Sequence, residues 1–473
     1  MNISILLLIY LVGAVVTYAA GKKFARNIAL FFGLIGAGVW ASYYPMITAG
    51  ETFTEVYSWI KQLNANFSLY VDGLAYSMLG LSCLLFPIIV LSTKANQFSK
   101  ANAIYSLALL MVFAMNGTFM ANDGFLYYIF WELALIPIFF ISLLWGTGSF
   151  ASRKKAMVKF FVYTFAGSLF MLAALIYLYI KTGAFDWNTL QQASLSTKEA
   201  NCIFLGFFLA YAIKIPIFPF HTWQANTYEK APTMGTILLS GIMLKMGLYS
   251  IMRWQLPLTK GVEECVLNTV IVLSLIGVIY AALIALRQDN IKRLLAYSSM
   301  SHVGLIAAGI YTNTMQGTQG AIIQMLAHGL IVAGLFYIAE MIYERYGTYS
   351  IKEMGSIRQQ ATKFSSFFLI LMFASIGLPG TFSFVGEFSL LYALYAKGIW
   401  YAILGGTTII LGAYYMMRMF QKAMLGETNE QRTFADVSVR ESVVLTVLSA
   451  LIIGLGVYPL PIYNIISSFV NFS

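Results

Sequence analysis

The sequence predicts an all-α integral membrane protein of about fourteen transmembrane helices. Hydrophobic residues make up 59% of the chain and charged residues only 10%, a balance that no soluble globular domain has. Mean hydropathy is +0.76. Apolar stretches of about 20 residues, the length that crosses the hydrocarbon, recur throughout. They lie near 3–20, 27–47, 72–93, 102–121, 124–146, 156–180, 202–220, 234–254, 267–287, 292–312, 318–344, 364–396, 399–421 and 442–468. The connections are short and leave no room for a soluble domain.

The first segment is not expected to be a signal peptide. No basic residue precedes it, and Lys22 and Lys23 follow it, which is the wrong polarity for export and cleavage. Residues 1–101 hold helices 1–3. Segments four to eight then start near 102, 124, 156, 202 and 234, and segments nine to thirteen near 267, 292, 318, 364 and 399, at a nearly constant offset. This is a repeat of topology with little identity. Five helices is an odd number, so the second unit enters the membrane upside down, as in transporters. The expected organisation is a first repeat at 102–254, a second inverted repeat at 267–421 and a C-terminal helix at 442–473.

Each repeat contains a broken helix. Segment seven reads Lys214-Ile-Pro216-Ile-Phe-Pro219, and segment twelve reads Gly377-Leu-Pro379-Gly380. Proline removes a backbone donor and clashes with the preceding turn. In lipid the freed carbonyls need protein or water partners, so such breaks line a polar interior.

The net charge of +10 does not point to nucleic acid. Of 29 lysines and arginines, 21 lie in alternate loops, 22–26 through 418–440, and only 6 in the others, Lys61, Lys181, Lys198, Arg253, Lys260 and Lys397. The positive-inside rule then orients the chain as a multi-pass protein of a bacterial inner (plasma) membrane, both termini on the outer side. Three cysteines, Cys83, Cys202 and Cys265, lack metal-ligand spacing, and neither C-x-x-C-H nor G-x-G-x-x-G occurs. No cofactor, metal or nucleic acid is expected on this chain.

Two lysines, Lys214 and Lys245, and two carboxylates, Glu132 and Glu387, lie inside spanning segments. A charge at membrane depth costs about 3 kcal/mol on insertion scales, so such residues face a polar interior and serve transport. The three histidines fall among them: His302 in AYSSMSHVG near the start of segment ten, His328 inside segment eleven and His221 at the end of segment seven. Histidine gives and takes a proton near neutrality. Opposite charges about 4 Å apart interact by about 4 kcal/mol at an effective dielectric of about 20. Moving a proton against about 150 mV takes about 3.5 kcal/mol. Opening and closing a Glu132–Lys214 pair therefore matches the load of one proton. The alternative is a static pair that stabilises a bundle. Beyond Glu387, Ser389, Tyr392, Tyr395 and Lys397 are expected to hydrate a short outward route, with His328 or Lys245 beside the carboxylate.

FWELALIPI, KIPIFPFHTW…KAPT, GIMLKMGLY, RLLAYSSMSHVG, MLAHGLIVAGLFYIAEMIYER and GLPGTFSFVGEF together resemble one family from about residue 70 onward: the antiporter-like membrane subunits of complex I, the proton-translocating NADH:quinone oxidoreductase. Glu387, where the longer L-type branch has lysine, and the end of the chain after fourteen segments point to the M-type branch. The resemblance implies that Glu132 pairs with Lys214, that Lys245, His302 and His328 form a central relay, and that Glu387 is the terminal carboxylate. It also implies partners, the other membrane subunits and through them a peripheral arm, and a complex that uses NADH, FMN, iron–sulfur clusters and a quinone. His221 is the candidate for proton uptake, and Pro216, Pro219 and Pro379 mark the breaks. The family pattern H-G-W-L-P-D-A-H-S-Q-A-P-T departs here to HTWQANTYEKAPT, with Asn226 for the aspartate and Tyr228 for the second histidine, which weakens uptake through that loop. A subunit of a multisubunit sodium/proton antiporter is the alternative function.

Overall fold

Helix Thr197–Lys214 starts at a capping box, in which Ser196 accepts from the Glu199 amide and the Glu199 carboxylate accepts from the Ser196 amide at 2.8 Å. It stops at Lys214, where the two prolines prevent another turn. Segment twelve is likewise two helices, Thr362–Ile376 and Phe382–Lys397, separated at Gly377 and Gly380, both at positive φ (77° and 89°). In this computed structural model residues 2–427 and 433–470 are described. Arg432, counted above among the basic loop residues, and residues 471–473 lie outside them.

Among the described residues eleven helices are long and apolar enough to cross a membrane. The remaining three expected segments are the short Ser4–Ala19 helix and the two broken ones. The chain forms two units: Met1–Pro216 with Lys230–Thr269 and Tyr463–Ser473, and Ile217–Glu229 with Val270–Ile462.

The first unit contains an element the hydropathy reading passed over. Phe53–Ile60 and Ala65–Val71 form an antiparallel hairpin, in register from Phe53–Val71 to Ser58–Asn66 and shifted by a bulge before the last pair, Ile60–Ala65, with Asn64 at the turn in the left-handed region (φ 45°). β-Branched and aromatic residues dominate the first strand, and Phe67, Tyr70 and Val71 recur in the second, as sheets favour. The Asn66 amide donates to Asp123 Oδ2 at 2.9 Å, and Asp123 Oδ1 accepts from the Phe125 and Leu126 amides, capping helix Gly124–Leu133. The hairpin thereby ties to the helix that ends in Glu132 and Leu133.

Arg253 is a second surprise. It is not a loop residue but sits buried in the Thr233–Leu258 helix, where one terminal nitrogen lies 2.6 Å from both oxygens of Asp72. Asp72 directly follows the hairpin and caps helix Gly73–Ser92 through the Ala75 amide. The guanidinium also lies 5.3 Å from the Tyr70 ring and 5.4 Å from the Phe469 ring. Breaking a buried pair from one side costs about 3–5 kcal/mol, whereas replacing both partners by apolar groups is often neutral. Asp72→Asn should therefore lower the thermal aggregation midpoint and membrane abundance of the subunit sharply. Asp72→Leu with Arg253→Met should recover most of the loss, and equal losses in both variants would refute the pair as a unit.

The second unit is built on the buried helices Ile291–Tyr311 and Met315–Tyr346, with Phe382–Lys397 packed against Met315–Tyr346. Gly320 and Gly386 permit that close approach: a Cβ on Gly320 would meet the Leu390 amide at 3.0 Å, and one on Gly386 the Gln324 amide at 2.8 Å.

Candidate functional site

In the first unit, Glu132 is half-buried near the end of its helix. Ser168 of helix Phe150–Thr182 donates to the Phe165 carbonyl of its own helix at 2.8 Å, and Glu132 Oε1 has no hydrogen-bond partner. Lys214 is only 2% exposed. It attracts Glu132 electrostatically, yet its Nζ makes no hydrogen bond and lies 4.7 Å from the centre of the Trp131 ring. The two charges expected to pair are thus near one another and parted.

Lys245 is fully buried, and its Nζ donates to the Ser240 carbonyl at 2.6 Å. Ser240 lies in a wide π-helical turn, Leu238–Met243, which loosens the ordinary carbonyl ladder just before Lys245. A second such turn, Ile251–Gln255, follows. Beside these, the Tyr127 hydroxyl lies within hydrogen-bond distance of Ser250 Oγ (2.6 Å) and of the Tyr211 hydroxyl (3.2 Å), donating to one and able to accept from the other, and the Tyr127 ring stacks on Trp254.

In the second unit, Glu387 is buried in the turn-and-a-half after the break. His302 Nδ1 lies 3.0 Å from Glu387 Oε1 without the alignment of a directed hydrogen bond, and Gln324 Nε2 donates to the same oxygen at 3.0 Å. A Cβ on Gly377 would run into Glu387 Oε2, so the break wraps the carboxyl group closely. The partner of Glu387 is therefore His302, not His328. His302 stands in mid-helix rather than near its start, and this depth puts it level with the carboxylate. His328 Nε2 lies 3.0 Å from Ser299 Oγ, with its ring centre 6.2 Å from that of His302.

These groups line one small cavity, with room for about one water-sized sphere, bounded by Ser298, Ser299, His302, Gln324, His328 and Glu387. Tyr415 donates to Ser298 from behind. The outward route expected past Glu387 is not lined as anticipated. Tyr392 and Tyr395 are on the exposed face of their helix, and Ser389 turns back onto the Val385 carbonyl. Side chains on one face of a helix recur every three to four residues, so Tyr392, five residues on, is out of phase with Glu387, and Tyr395, eight residues on, lies two turns away at the edge of that face with its side chain exposed.

His221 lies in the turn after the first break, between the Phe218 and Tyr280 rings at 5.8 and 5.0 Å. Asn226 and Glu229 from the same stretch both accept from Arg293 Nη1, at 3.0 and 2.9 Å. The residue that replaces the family's aspartate thus has a structural partner. Pro216 and Pro219 lie between Lys214 and His221, and Pro379 between Gly377 and Glu387.

Trp131, Ser168, Ser299 and Gln324 were not singled out from the sequence. Gln324 precedes His328 by one helical turn, a polar stripe on an apolar helix that could have been found. Trp131 directly precedes Glu132 and Ser299 stands three residues before His302, but neither residue type is conspicuous in such a helix, and Ser168 is far from the intramembrane charges in sequence.

Residues 121–412 match the family model described as NADH:quinone oxidoreductase/Mrp antiporter, TM. The chain is similar to NADH-quinone oxidoreductase subunit M of Rickettsia bellii, 36% identical over 87% of this chain and 84% of that one. It is 35% identical to subunit M of Rhodobacter capsulatus over 87% and 82% of the two chains. Among solved structures, a chain of respiratory complex I from Thermus thermophilus superposes with a TM-score of 0.88 at 27% identity, covering 98% of this chain and 99% of that one. A chain of the Mrp complex from Dietzia sp. shares the fold, with a TM-score of 0.86 at 19% identity over 100% and 52% of the two chains.

Proposed function

Because the chain belongs to the antiporter-like membrane subunits of NADH:quinone oxidoreductase, we propose that it moves protons through a buried relay of Glu132, Lys214, Lys245, His302, His328 and Glu387. The driving reaction, electron transfer from NADH to a quinone, takes place in other chains of the complex, which supply the FMN and iron–sulfur clusters. The observation that carries this reading is that all six side chains are half-buried or buried in spanning helices, with an unpaired lysine nitrogen in the first unit and a His–Glu–Gln cluster around a cavity in the second. Static stabilisers would be fully hydrogen-bonded, because an unmet buried polar group is costly. The subunit M relatives and the complex I match favour this function over a sodium/proton antiporter.

The finer arrangement belongs to the same proposal. Fourteen spans form two inverted five-helix repeats at 102–254 and 267–421, flanked by helices at 1–101 and 442–473. Both termini face outward from a bacterial inner membrane. Helix breaks at matched places, beside Lys214 and Glu387, support the repeat. His221 remains the candidate for uptake, near Pro216 and Pro219, with Pro379 at the second break.

In this relay Lys245 must alternate between charged and neutral. Lysine can lose its proton inside a protein; arginine cannot. Lys245→Ala should reduce coupled pumping at least about tenfold, a barrier increase of about 1.4 kcal/mol, and Lys245→Arg should fail to restore it. Proton pumping by each variant in sealed membrane vesicles, driven by NADH, is the test. Normal pumping by the arginine variant would mean that a fixed positive charge suffices there.

A further inference from the structure

Lys214 ends its helix with a nitrogen that has no hydrogen-bond partner, and what it faces is an aromatic ring. Trp131 and Glu132 are consecutive on one helix, so they point in directions about 100° apart. A lysine approaching from the neighbouring helix can therefore swing between ring and carboxylate by rotating its own side chain, with the backbone still. The ring is in no position to turn away. Trp131 is 1% exposed, with the Tyr211 ring at 5.5 Å and the Tyr127 ring at 5.9 Å. Those tyrosines are themselves held to each other, and Tyr127 to Ser250.

We propose that the face of Trp131 is the seat of the Lys214 ammonium when it is parted from Glu132, which makes Trp131 a positioning residue of the relay. An indole face attracts a cation within about 6 Å, more strongly than a phenyl ring and more strongly still when water is excluded. This attraction is weaker than a contact ion pair. It makes the parted state accessible without making it permanent, and a switching pair needs both properties. The inference rests on the reading of Glu132 and Lys214 as a relay pair.

Fluorinated tryptophans test it, because each fluorine draws charge from the ring face while shape and burial are nearly unchanged. Tryptophan carrying one, two or three ring fluorines would be placed at position 131 in the assembled complex, and NADH-driven pumping measured in proteoliposomes. Pumping should fall stepwise with fluorine number, roughly 2- to 30-fold across the series, the span that corresponds to cation–π attraction. A packing role predicts no such order, and a flat series overturns the proposal. Lys214→Ala in parallel distinguishes the two failures. If it abolishes pumping while the fluorine series is flat, only the Trp131 seat is wrong. If it pumps normally, the relay reading itself fails.

Discussion

Glu132→Gln and Lys214→Ala should each remove most coupled turnover while the subunit stays assembled in its complex. A fall of at least about tenfold in pumping is expected, since even a third of the ~4 kcal/mol attraction of a contact pair would suffice for it. Assembly should survive because Lys214 Nζ makes no hydrogen bond and Glu132 Oε1 has none, so neither substitution strips a buried partner of its bond at that atom. In this the pair differs from Asp72 and Arg253, which grip one another at 2.6 Å. Quinone reductase activity and proton pumping, read together in membranes that contain each variant, make the test. Full pumping by either variant would remove both residues from the relay.

The second large effect is expected at Glu387. Its Oε1 receives Gln324 Nε2 and faces His302 Nδ1, and its other oxygen is enclosed by the turn at Gly377. Glu387→Gln keeps the size but is neutral, so it neither takes a proton nor steadies a charged His302. Glu387→Asp keeps the charge on a shorter stem, which costs contact with Gln324 and His302 but preserves proton exchange. The glutamine variant should lose pumping at least about tenfold, and the aspartate variant should retain an intermediate rate. Pumping in sealed vesicles, compared with oxidoreductase activity in the same preparation, separates the cases. Equal, near-normal pumping by both would make Glu387 a structural residue.

The spans, the breaks and the four intramembrane charges were legible because each departs from what lipid tolerates: a lysine or a proline in an apolar run is visible without any knowledge of contacts. Pairings were less so. Arg253 was assigned to a loop because the apolar run ends beside it, and its partner Asp72 is 181 residues away. His302 and His328 lie on two adjacent helices, and which of them meets Glu387 depends on helix rotation and depth, which composition does not encode. The hairpin at 53–71 is too short and too mixed in polarity to register in a search for spans, although its alternation of aromatic and β-branched residues is a strand signal. Trp131 escaped notice for a plainer reason. An aromatic residue in an apolar helix is unremarkable until a cation is found above it.

The first unit is not contiguous in the chain. Its last part, from Tyr463 onward, comes after the whole of the second unit, and Phe469 from that part lies against the guanidinium of Arg253. For a protein threaded into the membrane as it is translated, this sets an order. The half that begins first on the ribosome is the half completed last. Until Phe469 is made, the Asp72–Arg253 pair lacks the ring that closes this side of the guanidinium, so one wall of the pair is added only after the whole second unit has been translated.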